Sequence, residues 1–254
     1  MEGKIVFTSA KPNVNNKKLE KDDAGYYYIT LGALNVFNSA GEYYITDGVR
    51  EMFEDKSSTL MRRIKSGFLK SEVGHPKLQP GMNKNQFFNR NLRIEETNVC
   101  VHIRDLELVN TDNDSGMGNN TKTILVMGWV KPSGPKGDFL QKALDNPDEN
   151  VAFSVRSFTK NSYVHGTTIK QIVQLITYDY VTEPGIHYAT KNKSLGIESM
   201  DTFEMDLSEL TNGDDLDECF ACSLESDSEK EIVQEIIDNT RKCEKEGNCI
   251  LEDW

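Results

Sequence analysis

The chain has 254 residues, 37% of them hydrophobic, and a formal net charge of −12, enough for one large domain or a domain with an appendage. It has no apolar run of about 18 residues, and its N-terminus lacks the apolar core of a secretory signal, so we expect neither a membrane span nor export. Five cysteines, an odd number, give no disulfide framework and indicate a soluble intracellular protein with reduced thiols.

The acidity is concentrated at the C-terminal end. Residues 198–254 carry 19 acidic and 4 basic side chains, a net charge of −15, which leaves residues 1–197 with +3. A near-neutral body with an acidic tail is typical of a detachable or regulatory segment, and the alternative is a tail that only solubilises the protein. The body shows no basic stripe with interleaved aromatics, so we expect no nucleic-acid partner.

In chain order, a polar and loose arm over residues 1–24 precedes a body of aromatic and β-branched segments. We predict a helix broken near Ser57 and Ser58, and a weakly ordered tail with an amphipathic helix carrying Ile232, Ile236 and Ile237. The predicted body elements are strands at 26–38 and 43–46, the broken helix at 47–67, strands at 98–109 and 122–131, a helix within 133–149, and strands at 150–159 and 168–185. Without βαβ alternation or a glycine-rich phosphate loop, the body is predicted to be a β-rich α+β domain.

One predicted strand carries an unusual face. In "NVAFSVRSFT", residues 150–159, the small Ser154 and the charged Arg156 share a face with Ala152, whereas Ser157 points to the opposite face. A hydroxyl and a guanidinium two residues apart suit an active site better than pure packing. The alternatives are a strand serine bonded to its neighbours and an arginine paired with a surface acid.

A nucleophilic serine needs a base, and the chain has four histidines. His102 lies inside a predicted strand, His165 in a turn beside Gly166, and His187 in a loop. His75 follows a helix and a short apolar stretch and precedes Pro76. Residue type alone does not select one of them.

Four segments in a fixed order carry a resemblance over residues 28–185. They are "GALNVFNSAGEYY", the Glu72-x-x-His75-Pro76 stretch, "VAFSVRS" and "ITYDYVTEPG". Together they resemble the prohead (capsid maturation) proteases of tailed phages, which are related to the herpesvirus assemblins. The chain departs from many relatives in having Val155 where a second serine is common and Ser157 where a glycine is common. The resemblance implies a small, barrel-like protease domain with a few flanking helices, which we place at residues 25–197.

The resemblance also implies roles for individual residues. Ser154 matches the nucleophile, with Ser157 as the alternative, and His75 matches the general base. Asp179 matches the third, acidic member, with Glu183 as the alternative. Apolar neighbours make an unpaired Asp179 carboxylate costly, so a partner is expected and His75 is the candidate. Arg156 is expected to support the oxyanion hole. No cofactor or metal is implied for this site.

The implied function is that of a serine endopeptidase that cleaves scaffold or core proteins, the major capsid protein and itself, inside the assembling prohead in the host cytoplasm. The acidic tail, residues 198–254, would be autocleaved or would dock on scaffold, and self-association is an accompanying expectation. One alternative is a non-catalytic scaffold or capsid-assembly protein that keeps the protease fold. Another is a zinc-binding interaction module in the tail, held by Cys219, Cys222, Cys243 and Cys249.

Overall fold

The computed structural model describes residues 4–7, 19, 21–117, 121–191 and 203–206. Within these ranges lie ten strands, four α-helices and one 3-10 turn at Glu96–Asn98. The strands are β1 (Lys4–Phe7), β2 (Tyr27–Leu34), β3 (Val36–Phe37), β4 (Tyr43–Tyr44), β5 (Lys70–Glu72), β6 (Val99–Asp114), β7 (Lys122–Pro132), β8 (Ala152–Val164), β9 (Thr167–Val181) and β10 (Phe203–Asp206). The helices are α1 (Val49–Glu54), α2 (Thr59–Lys65), α3 (Lys84–Leu92) and α4 (Gly137–Asp145). No helix in the described ranges is long and apolar enough to cross a membrane.

The strands form two sheets with the hydrophobic core between them. One sheet has six strands in the order β10-β1-β8-β9-β4-β3, and the other has four in the order β2-β7-β6-β5. Both sheets contribute fully buried side chains to one core, such as Leu31 from β2, Ile103 from β6, Phe153 from β8 and Leu175 from β9. Burial of these β-branched, aromatic and aliphatic side chains on the facing sides of two sheets drives the fold.

The hairpin of β8 and β9 is the longest pairing in the six-stranded sheet. Its turn consists of His165 and Gly166, whose φ angles of 46° and 86° are both positive, as a two-residue hairpin turn of the primed type requires. The register shifts between Arg156 and Ser157, where β9 carries an extra residue, Ile176. Such bulges bend a strand and re-aim its side chains, and this one lies two residues from Ser154.

The predicted break in the first helix is confirmed at Ser58. Helix α1 ends at Glu54, and Ser58 begins α2 by accepting a hydrogen bond from the Met61 amide at 3.2 Å. Helix α3 was not predicted, because its sequence, "KNQFFNRNL", contains several asparagines of low helix propensity. The helix begins at Asn83, whose side chain and that of Gln86 cap one another's backbone amides. The Asn-x-x-Gln spacing was the available signal.

The expected barrel is wrong in one respect. The fold is β-rich with a few flanking helices, but the two sheets do not close into a barrel in the described part of the chain. The β5 edge of the smaller sheet meets β9 of the larger one through an isolated parallel bridge between Val73 and Tyr180. Closure needs a continuous hydrogen-bonded ladder around all the strands, and a single bridge does not supply one.

Strand β1 lies in the segment predicted as the arm, and β10 lies in the segment predicted as the tail; the two pair with each other, and β1 pairs with β8. The domain boundaries at residues 24 and 197 stay predictions. The isoleucine-lined tail helix and the four tail cysteines lie outside the described residues.

The hairpin turn gives a prediction about stability. Changing Gly166 to Ala places a Cβ at a φ of 86°, which should lower the free energy of unfolding by about 1 kcal/mol. The matched control is His165→Asn, which should leave stability unchanged or slightly higher because asparagine tolerates positive φ. Denaturant unfolding of both variants is the measurement, and equal effects at the two positions would contradict the assigned turn geometry.

Candidate active site

Three separate segments bring Ser154, His75 and Asp179 together. Ser154 on β8 and Asp179 on β9 are directly opposite one another in the antiparallel ladder. His75 follows β5, which runs along β9: the Gly74 amide donates to the Tyr180 carbonyl at 2.6 Å, and the Thr177 hydroxyl donates to the Lys70 carbonyl at 2.8 Å. These contacts place the imidazole next to Ser154 and Asp179, which the register of the hairpin brings side by side.

The three side chains form one hydrogen-bonded line. The His75 Nδ1 atom is 2.9 Å from Asp179 Oδ2, and Nε2 is 2.7 Å from Ser154 Oγ. An ionised carboxylate can only accept, so Nδ1 carries the proton and Nε2 presents its lone pair to the serine hydroxyl. This is the arrangement in which an imidazole can remove the proton of a hydroxyl nucleophile.

Asp179 is buried, yet it is held in its charged form. Burial acts to raise the pKa of its carboxyl, but the Arg156 charge and the hydrogen bond from His75 outweigh burial and hold that pKa below its usual value. The carboxylate accepts four hydrogen bonds: from His75, from the Glu72 amide at 3.0 Å, and from Nε and Nη2 of Arg156, each at 2.8 Å. The expected partnership of Asp179 and His75 is present.

The guanidinium of Arg156 faces acids. Besides its two hydrogen bonds to Asp179, its Nη2 lies 3.0 Å from Glu72 Oε1, and its Nη1 donates to the Arg93 carbonyl at 2.9 Å. The Arg156 side chain is 2% exposed, so these contacts are screened little by water. Arg156 therefore binds both oxygens of the Asp179 carboxylate and also contacts Glu72.

The two alternative residues occupy different surroundings. Ser157 is buried, and its hydroxyl has no hydrogen-bond partner in the described structure. Glu183 is exposed in the loop that follows β9. The hydrogen bonds of His75 go to Ser154 and Asp179 rather than to either of them.

Glu72 was missed as a site residue, although it belongs to the Glu72-x-x-His75-Pro76 segment. Its carboxylate is fully buried and pairs with both Arg156 and Arg90 of α3. Burial acts to raise the pKa of Glu72, but the bonds from Arg90 and the charge of Arg156 outweigh it, and the pKa lies below its ordinary value. The only signal was its place in the segment that carries His75; its need for a cation follows from its burial, which the structure shows.

The remaining histidines lie in other environments. His102 contacts the Tyr26 hydroxyl and the Gly67 carbonyl, His165 is exposed in the hairpin turn, and His187 stacks on Tyr188. Ser154 has no exposed surface, whereas 28% of the His75 side chain is exposed, so the site meets solvent through the imidazole. Across the described ranges, no three His, Cys, Asp or Glu side chains converge as metal ligands.

The depressed pKa values of Asp179 and Glu72 predict acid sensitivity. Such groups contribute stability that is fully present above the ordinary carboxyl pKa of about 4 and is lost as the pH falls through their lower, folded-state values. An Asp179→Asn variant should be less stable at pH 7 and should lose less stability than the parent below about pH 4. Unfolding free energies across this range, measured with Ser154→Ala as the parent so that no self-cleavage interferes, test the linkage. Parallel pH curves for the two proteins would contradict it.

Comparison with known proteins identifies the family of the chain. The chain is 37% identical over 201 residues to a protein of Pseudomonas phage phiKZ named capsid maturation protease, an alignment that covers 77% of this chain and 72% of the relative. No solved structure shows a significant match. The resemblance to phage prohead proteases is therefore confirmed. Because the Peptidase S80 family matches residues 7–250, nearly the whole chain, the protein belongs to that family.

Proposed function

We propose that the protein is a serine endopeptidase of phage capsid maturation, with Ser154 as nucleophile, His75 as general base and Asp179 as the orienting acid. The observation that carries this proposal is the continuous hydrogen-bonded line from Asp179 through His75 to Ser154. Membership of a peptidase family and the name of the phage phiKZ relative support the same reaction class.

In the first half of the reaction, Ser154 Oγ attacks the carbonyl carbon of the scissile peptide bond while His75 Nε2 takes the hydroxyl proton. A tetrahedral intermediate forms, with the negative charge on the former carbonyl oxygen. His75 then gives its proton to the leaving amine nitrogen, and the C–N bond breaks. The product of this half is an ester between Ser154 and the new C-terminal residue of the substrate.

Water completes the cycle by the same route. His75 Nε2 removes a proton from a water molecule, the resulting hydroxide attacks the ester carbonyl, and the Ser154 oxygen leaves and regains the proton. In both halves the imidazole becomes an imidazolium. Asp179 stabilises this cation from 2.9 Å and keeps the proton on Nδ1 in the resting state.

Arg156 has a positioning role in this scheme. Its contacts hold the Asp179 carboxylate in one orientation, with Oδ2 directed at His75. The sequence-based expectation placed Arg156 at the oxyanion. The observed hydrogen bonds occupy Nε, Nη1 and Nη2 with Asp179, Glu72 and the Arg93 carbonyl, and this occupancy favours support of the acid instead.

The proposed substrates are scaffold or core proteins and the major capsid protein, with the chain itself as a further substrate, cleaved inside the assembling capsid in the host cell. The phage phiKZ relative bears the name of a protease with that task. In the non-catalytic alternative, an assembly protein that keeps only the fold, the hydrogen bonds that connect a serine, a histidine and a buried aspartate would serve no purpose. Such a set is costly to bury without a function.

The central test is loss of the nucleophile and of the base. Ser154→Ala and His75→Gln should each lower peptide-bond cleavage at least about a thousandfold, because each removes a group that reacts in every turnover. Intact-mass analysis during incubation, with the protein alone and with scaffold and capsid proteins added, measures the cleavage.

Ser157→Ala is the matched control for Ser154→Ala, and Glu183→Gln tests the alternative acid. Both residues lie outside the hydrogen-bonded line, so both variants should cleave as the parent does. If Ser157→Ala were inactive and Ser154→Ala active, the assigned nucleophile would be wrong. If the parent itself cleaved none of these substrates, the non-catalytic alternative would stand.

The two roles considered for Arg156 predict different stability effects. Changing Arg156 to Met leaves Asp179 and Glu72 buried without a shared cation, which should lower the free energy of unfolding by about 3–5 kcal/mol along with activity. A group that acts only on the oxyanion would reduce activity and leave stability nearly unchanged. Thermal unfolding and peptide cleavage measured on the same sample distinguish the two, with Arg62→Met on the exposed side of α2 as the control.

A further inference from the structure

A second ion pair, Arg90–Glu72, adjoins the pair that Arg156 forms with Asp179. Arg90 on α3 binds Glu72 through both of its terminal nitrogens, Nη1 to Oε1 at 3.0 Å and Nη2 to Oε2 at 2.5 Å. The Glu72 side chain is fully buried, and that of Arg90 is 25% exposed. Two parallel N–H···O bonds of this kind fix orientation as well as distance.

The loop after α3 closes around the same carboxylate. The Glu95 amide donates to Glu72 Oε1 at 2.8 Å, and the Asn98 side chain donates to Oε2 at 3.3 Å. The Arg93 carbonyl accepts from both Arg90 at 3.1 Å and Arg156 at 2.9 Å. Helix α3 and its C-terminal loop are therefore docked on Glu72 by charge and by hydrogen bonds.

Glu72 is also linked to Asp179, the acid of the proposed triad, in two ways. Its backbone amide donates to Asp179 Oδ1, and its carboxylate shares the Arg156 guanidinium with Asp179. The position of Glu72 therefore acts on Asp179 through the backbone amide, and its charge acts on Asp179 through Arg156.

Charges of opposite sign pair within this cluster. Two carboxylates, Asp179 and Glu72, face two guanidinium groups, Arg156 and Arg90. A third guanidinium, that of Arg63 on α2, donates to the Ile176 carbonyl; burial and Arg156 lower its pKa to about 10, so it still carries its charge at neutral pH. The buried Cys100 thiol of β6 has a raised pKa, chiefly because of burial, and stays neutral.

We propose that the Arg90–Glu72 ion pair is a positioning device that holds Asp179 in register through Arg156 and the Glu72 amide, and that its two charges offset one another near His75. The inference deepens the proposed serine-protease function and rests on it. Neither Arg90 nor Glu72 contacts Ser154 or His75 through its side chain in the hydrogen bonds of the site, so both act through Asp179 and Arg156.

Charge cancellation has a signature that a merely structural role lacks. Removing the positive charge with Arg90→Gln makes the cluster one unit more negative, which stabilises the imidazolium and should move the titration midpoint of His75 to higher pH. Removing the negative charge with Glu72→Gln makes the cluster one unit more positive and should move the midpoint to lower pH. Each shift should be about half a pH unit or more for a partly buried charge. The double variant restores the net charge of the parent and should titrate as the parent does.

The experiment follows the His75 Cε1–H signal by NMR across pH in the full-length protein with Ser154→Ala as parent, the signal being assigned by its absence in His75→Gln. Opposite shifts in the two single variants, with recovery in the double variant, are the expected result. Shifts of the same sign, or no shift in folded single variants, would overturn the inference. If Arg90→Gln does not fold, Arg90→Lys, which keeps the charge, should match the parent, and Glu72→Gln compared with the double variant still gives the sign.

A second readout separates this inference from the proposed function. In proteins with Ser154 intact, the acidic limb of kcat/KM against pH should move in the same directions as the NMR midpoints, because that limb reports the protonation of the free base. The NMR titration needs no proteolysis. If the protein with Ser154 intact had no peptidase activity but the two single variants shifted the His75 midpoint in opposite directions, the proposed function would be wrong and the role of the ion pair would stand. If that protein were active but the variants titrated alike, the function would stand and the role of the ion pair would be wrong.

Discussion

The burial of one ionised carboxylate, Asp179, is the constraint on which the rest of the site depends. A carboxylate without exposed surface is stable only if cations and N–H groups replace the water that it loses. Here the replacements come from Arg156 on its neighbouring strand, from the Glu72 amide and from His75. The site therefore requires that β5 and the loop after it be docked against β9.

Satisfying Asp179 brings a second buried charge with it. Arg156 offers more donors than one carboxylate can accept, and the remaining ones bind Glu72 and the Arg93 carbonyl. Glu72 in turn needs its own cation, which is Arg90 of α3. Networks of this kind contribute little to stability compared with apolar packing of the same volume. Their presence next to a serine and a histidine is better explained by the orientation that they impose.

Family membership and geometry answer different questions about this protein. The Peptidase S80 match places the chain among peptidases without saying which residues act. The hydrogen bonds of the site support the proposed residue roles: two short contacts link Ser154, His75 and Asp179, and the orientation of the buried acid is fixed from three sides. Proteases on unrelated folds reach the same constellation, so geometry and roles, rather than position in the chain, identify such a site.

Local sequence patterns were sufficient for features that depend on near neighbours. The alternation in residues 150–159 placed Ser154 and Arg156 on one face, the serines at 57 and 58 marked the helix break, and the buried character of Asp179 required a partner. These follow from backbone periodicity, capping and desolvation, which act over a few residues.

Tertiary structure decided the contacts between distant segments. His75 and Asp179 are 104 residues apart. The pairing of Arg90 with Glu72 joins α3, a helix that was not predicted from its asparagine-rich sequence, to β5, a strand of three residues. The partners of Arg156 and the open arrangement of the two sheets also depend on contacts between distant segments. Periodicity reports which face of an element is buried, but not which element covers it, and the choice among cations for a buried acid is made only when the sheets pack.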